Sequence, residues 1–240
     1  MTKGSKIIIL FACFCQSLLA FSQLSEGDPY KGDAFQAFRQ KDYEQALILF
    51  SKVIAHDASD FETFYNRGVC YSKLHQYDKA IKDYNKVLEN DPTNYDALLN
   101  RGIAYYRMSN NLSALQDFNK ALATDFHDNN AFINRAIVWT ALQKYDNAIS
   151  DLDSALAMQP RDFSAFFNKG TIYLTTRSFA AAIVCFDAAI NIDSTNANAY
   201  YFRGVTNYEN KNTVAACKDF EKALEYGNPD AEKELKEKCK

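Results

Sequence analysis

Histidine and the recognisable catalytic words are nearly missing from this chain. Its 240 residues include three histidines, His56, His75 and His127, set far apart and without cysteine or carboxylate partners at a recurring metal-ligand spacing. No metal centre is therefore expected. No glycine-rich phosphate loop, nucleophile elbow or zinc-protease word occurs, and serines that fall near histidines do not make a triad. The expectation is a protein with no cofactor and no catalysis. Charge is nearly balanced, 27 basic against 30 acidic residues, and no basic patch stands out. Nucleic acid is excluded as an expected partner on that ground.

The N-terminus carries an apolar run from Ile7 through Ala20, preceded by Lys3 and Lys6 and followed by Ala20-Phe21-Ser22. This pattern reads as a secretory signal peptide over 1–22, cut after Ser22, with 23–26 a short linker. The run is short for a bilayer span and contains Gln16 and Ser17, which sets an uncleaved anchor second. A lipoprotein attached through Cys13 is a third reading, but Phe11 is poor in a lipobox and apolar residues follow Cys13. The expected location is periplasmic or secreted, with no membrane insertion once the signal is removed. Cys70, Cys185, Cys217 and Cys239 remain after cleavage and would meet an oxidising environment.

What the chain has in abundance is periodicity. Gly68, Gly102, Gly170 and Gly204 fall on a spacing of 34 residues, with Ala136 in the remaining place. The same words surround them: Tyr65-Asn66-Arg67, Leu99-Asn100-Arg101, Ile133-Asn134-Arg135 and Phe167-Asn168-Lys169. Twelve residues on come Ala80, Ala114, Ala148, Ala182 and Ala216, and four beyond those Tyr84, Phe118, Leu152, Phe186 and Phe220. Pro92 and Pro160 stand near the ends of their units, where Phe126 and Ser194 occupy the matching places in two others. These motifs resemble tetratricopeptide repeats, matched in five successive units, with a degenerate unit before them. The resemblance implies an all-α fold, a right-handed α-solenoid of six helix-turn-helix pairs at 27–60, 61–94, 95–128, 129–162, 163–196 and 197–230. In each pair, glycine or alanine at the eighth position is expected opposite the alanine at the twentieth, so that helices A and B approach closely.

After the last repeat, Gly227, Asn228 and Pro229 signal a helix end and a new start. Ala231, Leu235 and Cys239 then form one apolar stripe, the expected form of a capping helix near 229–239, with 231–240 as its remainder. Cys217 and Cys239 lie at equal distances from Asn228, which would bring them level across an antiparallel turn. A disulfide is expected there, with two packed thiols as the alternative. Cys70 and Cys185 sit in distant repeats and are expected not to pair. At the seventh and twenty-third positions, arginine and aspartate occur together in four repeats and are lost together in two. The pattern predicts ion pairs Arg67–Asp83, Arg101–Asp117, Arg135–Asp151 and Arg203–Asp219.

The resemblance also implies a concave groove, lined by the sixth position of each helix A. Asn66, Asn100, Asn134 and Asn168 hold that position in four consecutive repeats, and a row of side-chain amides can bond the main chain of an extended peptide. The competing reading has each asparagine bonding within its own helix pair. Beside the row, Tyr65, Phe167 and Tyr201 at the fifth position and Tyr106 at the twelfth are candidate lining residues, though packing between repeats would use the same rings. The ninth positions read Phe35, Val69, Ile103, Ile137, Thr171 and Val205, so the carboxylate clamp for chaperone C-termini is absent. The sequence thus points to a non-catalytic scaffold that holds a segment of a partner protein. An envelope glycan- or nutrient-binding protein, and a chaperone or regulatory subunit of an envelope complex, are the alternatives.

Overall fold

The computed structural model describes residues 28–124 and 128–239. The expected signal peptide, the linker at 23–26, and Phe126 and His127 lie outside the described residues. Those described form helices joined by short turns, with no strand: α1 Lys31–Arg39, α2 Tyr43–His56, α3 Phe61–Lys73, α4 Tyr77–Asn90, α5 Tyr95–Arg107, α6 Asn111–Thr124, α7 Asn129–Ala141, α8 Tyr145–Met158, α9 Phe163–Thr175, α10 Phe179–Ile192, α11 Ala197–Glu209, α12 Thr213–Glu225 and α13 Asp230–Lys238. The described residues form two compact units, divided between Asn90 and Asp91. Within the first, α1 pairs with α2 and α3 with α4, and α3 also packs on α2. The second holds four such pairs, α5 to α12, each new A helix packing on the preceding B helix, and α13 closes on α12.

Both ends of the A helices are encoded locally. Side chains of Asp60, Asn94, Asp162 and Asn196 accept from the backbone N–H three residues on, which satisfies donors that the first helical turn leaves open. At the other end, Lys41, His75, Ser109, Gln143, Arg177 and Lys211 all stand at φ between 58° and 65°, one residue per repeat at the same register. The next N–H then reaches back to close the helix, as Gln76 does to Tyr71 O at 2.8 Å and Ser178 to Tyr173 O at 2.8 Å. This is the Schellman arrangement, built here with side chains that disfavour a left-handed backbone.

The structure corrects one expectation about the helix crossing. The glycine at the eighth position does not face the twentieth-position alanine as its closest neighbour; it faces the ring at the twenty-fourth. A Cβ on Gly68 would lie 2.8 Å from Tyr84 Cε1, one on Gly102 2.7 Å from Phe118 Cε1, and one on Gly170 2.7 Å from Phe186 Cε1. The alanines Ala80, Ala114 and Ala182 are fully buried, but the missing Cβ makes room for an aromatic face. Repeat four carries the complement of this arrangement: Ala136 has its Cβ, and Leu152 replaces the ring in the same core cluster. In repeat one, Ala34 and Phe50 share a cluster. The Tyr84 hydroxyl is buried without a hydrogen-bond partner, and that burial pushes its phenol well above the ordinary range.

All four predicted ion pairs form, and each is bidentate. Arg67 Nε and Nη2 donate to Asp83 at 2.8 Å each, Arg101 to Asp117 at 2.8 and 2.7 Å, Arg135 to Asp151 at 2.8 and 2.7 Å, and Arg203 to Asp219 at 3.0 and 2.6 Å. The free Nη1 reaches the preceding B helix: Arg67 to Ser51 at 3.2 Å, Arg135 to Asn119 at 2.8 Å, and Arg203 to Asp187 at 2.6 Å. These three guanidiniums therefore fasten their own pair and tie it to the repeat before. Lys169, which faces Cys185 in its own repeat, keeps the second link alone, bonding Asp153 of the preceding B helix.

Candidate functional site

On each A helix, the second, sixth, ninth and thirteenth positions are spaced by four, three and four residues, so they fall on one stripe. In the second unit, α7 is a neighbour of both α5 and α9, and α9 of α11, which sets four stripes side by side. Those of α7 and α9 carry no charge: Asn130, Asn134, Ile137 and Ala141 on one, Ser164, Asn168, Thr171 and Thr175 on the other. The flanking stripes bring Asp96 and Arg107 on α5 and Glu209 on α11. Asn100, Asn134 and Asn168 thus meet on neighbouring helices of one unit, and Asn66 holds the same register on α3 of the other.

The amides are not idle. Asn66 Nδ2 donates to Glu62 O at 2.8 Å, Asn100 Nδ2 to Asp96 O at 2.9 Å and Asn168 Nδ2 to Ser164 O at 2.7 Å. In each case one amide proton closes on the helix that carries it. The half-buried side chains stay in the outward stripe while their donors point along the helix.

The aromatic candidates serve packing. Tyr65 lies with its ring 6.0 Å from that of Tyr84. Tyr106 packs on the cluster of Ala114, Leu115, Phe118 and Val138. Phe167 is wedged among Phe163, Phe186 and Phe202, at centroid distances of 5.6, 5.8 and 5.5 Å. Tyr201 packs on Phe202 and Phe220 and against the cluster that holds Ala231. Burial first, then the carboxylates Glu234 and Asp230 of α13, push its phenol above the ordinary range. The capping helix takes the place a seventh A helix would occupy, which covers Tyr201. These four rings are therefore placed in the packing between helices, as the competing reading of the sequence had them. Thr171 and Thr175, which share the phase of Asn168, belong to the row, and that phase was the signal for them.

Cys217 and Cys239 are joined as a disulfide, their Cα atoms 5.7 Å apart, and Cys70 and Cys185 are free and buried. Desolvation pushes the Cys70 thiol up to about 12, which makes it a packed apolar group rather than a nucleophile. No cluster of three or more histidine, cysteine or acidic side chains suited to a metal occurs among the described residues. A surface hollow of about 470 Å³ between α6, α7 and α8 is lined by Arg135, Asn119 and Asp151 among others, and Arg135 already donates to both of the other two. No helix among the described residues is long and apolar enough to cross a membrane.

Antiparallel pairs stacked at a fixed period, with one polar row along their A helices, define an α-helical repeat array built to present a surface. Models of the tetratricopeptide repeat match at residues 61–94, 83–116 and 140–197. The chain is a tetratricopeptide repeat protein. A tetratricopeptide repeat protein from Parabacteroides merdae ATCC 43184 superimposes with a TM-score of 0.67 at 26% identity, over 92% of this chain and 88% of that one. MamA gives 0.62 at 25% identity over 69% and 96%. YrrB, described as a TPR protein with an unusual peptide-binding site, gives 0.60 at 24% identity over 75% and 93%. No curated protein matches the chain significantly.

Proposed function

We propose that the protein is an exported, non-catalytic scaffold whose A-helix row in residues 91–239 holds an extended segment of a partner polypeptide. The observation that carries this is the meeting of Asn100, Asn134 and Asn168 at one register on three neighbouring helices. An extended strand repeats its amides every 3.2–3.4 Å or so, and a row of fixed side-chain oxygens can accept from them without reading a particular sequence. YrrB, which shares the fold and is described as having a peptide-binding site, is a fold-level analogy for peptide binding, not for the place of the site.

Export rests on two supports, the N-terminal sequence pattern and the Cys217–Cys239 bridge, because disulfides persist in oxidising compartments and are rare in the cytosol. Photo-crosslinking in intact cells tests the reading. A crosslinking residue at Thr175 or Ala141, both exposed on the row, should trap a partner polypeptide. One at exposed Val184 on α10 should not. Crosslinks from Val184 with none from the row would reject the groove.

A further inference from the structure

The hydrogen-bond polarity of the row goes further than its location, and rests on the groove reading above. Along α9 each of three successive row residues turns one donor into its own helix. Asn168 Nδ2 donates to Ser164 O at 2.7 Å, Thr171 Oγ1 to Asn168 O at 2.7 Å and Thr175 Oγ1 to Thr171 O at 2.8 Å. A threonine hydroxyl has one proton, so what Thr171 and Thr175 offer outward is lone pairs, while Asn168 keeps its Oδ1 and one N–H, and the amides of Asn130 and Asn134 on α7 carry neutral donors and acceptors alike. The neighbouring α7 stripe adds no charge. Arg177 and Glu209, at the loop end of the face, are 3.7 Å apart and offset one another.

From this we infer that the α7–α9 face selects a partner segment rich in neutral amide donors, its main-chain N–H groups together with asparagine and glutamine side chains, and rejects segments bearing carboxylates. A carboxylate brings acceptors only. Laid on a face where the threonines present acceptors and the only donors are neutral amide N–H groups, it loses more hydration than it regains, and no cation in the row compensates it. An asparagine of the same shape supplies the missing protons. Glycans are set second because the rings that would form a stacking platform, Phe167 above all, are held in the packing between repeats.

The test uses the full-length, disulfide-intact protein and two pools of short, terminally blocked peptides, identical except that asparagine and glutamine in one become aspartate and glutamate in the other. Fluorescence anisotropy should show the amide pool binding more tightly by about tenfold or more. The double substitution A141K/T175K, at two exposed positions, should bring the acidic pool up to or past the amide pool, with the helical signal unchanged. Equal or tighter binding of the acidic pool by the unaltered protein would overturn the selectivity and leave the groove standing. If neither pool binds, whether or not a glucose oligosaccharide does, the groove reading falls and this inference with it.

Discussion

The first and last repeats are built to the same plan and end in opposite ways. In repeat one the A helix has nine residues against thirteen in repeat six, Asp33 stands where Arg203 stands, and Gly32 takes the place that asparagine holds in four other repeats. The side chains of Asp33, Gln36, Gln40 and Gln45 are exposed together on an open hollow, so this end meets water through polar substitution. In repeat six the arginine binds Asp219 and Asp187 at once, Asn207 adds a third bond to Asp219 at 3.0 Å, and α13 covers Ala216, Phe220 and Ala223 with Ala231 and Leu235. A repeat array can thus finish by exchanging apolar contact residues for polar ones, or by adding a helix and fastening it covalently.

Four changes would break or sharpen that contrast. The largest effect is expected from Arg203→Met, which strands the buried Asp219 and removes the tie to α10; the cost should be about 3–5 kcal/mol. Asp33→Ala at the same register should stay within about 0.5 kcal/mol. Urea midpoints of both variants decide it, and similar losses would mean that the two ends are not built differently. Removing the bridge with C217S/C239S should cost about 3 kcal/mol and release α13 first, read as hydrogen exchange at Ala231 to Lys238 rising ahead of α12. A third, smaller effect follows from Gly204→Ala, whose Cβ would meet the Phe220 ring at 2.8 Å. A loss of about 1–3 kcal/mol is expected, whereas Ala34→Gly should cost about 1 kcal/mol, through helix propensity alone. The smallest is a gain: Lys41→Gly and Lys211→Gly relieve the same left-handed turn and should each stabilise by about 0.5–1 kcal/mol. Both ends should respond alike there, because the turn does not depend on what lies beyond it.

The period of 34 residues carried the fold, and charge covariation carried the ion pairs, because both are relations between positions that a single sequence displays six times. Other features escaped. The left-handed residues closing the A helices are lysine, histidine, serine, glutamine and arginine, so no glycine marks them. The ring opposite each glycine was misassigned to alanine because sequence shows which residues are small, not which side chain leans over them. Lys169 keeps one of two arginine links, and its partner Asp153 lies in the previous repeat, where pairing within one repeat does not look. The asparagine row was legible in register; the bonds that turn its donors inward were not, since they depend on side-chain torsions and on Thr171 and Thr175 one and two turns further along. The candidate lining rings are engaged in packing for a physical reason: flat rings fill the space between stacked helices at little cost, so periodic rings report packing before they report a groove.

The central claim is that the face formed by α7 and α9 holds an extended, amide-rich segment. Side-chain amide resonances of the protein, followed by two-dimensional NMR during titration with the asparagine- and glutamine-containing peptides, test it most directly. The account predicts saturable shifts at Asn134 and Asn168 with Asn119 and Asn191 on the B helices unmoved. Shifts confined to the B-helix asparagines, with Asn134 and Asn168 unchanged at saturating peptide, would contradict it.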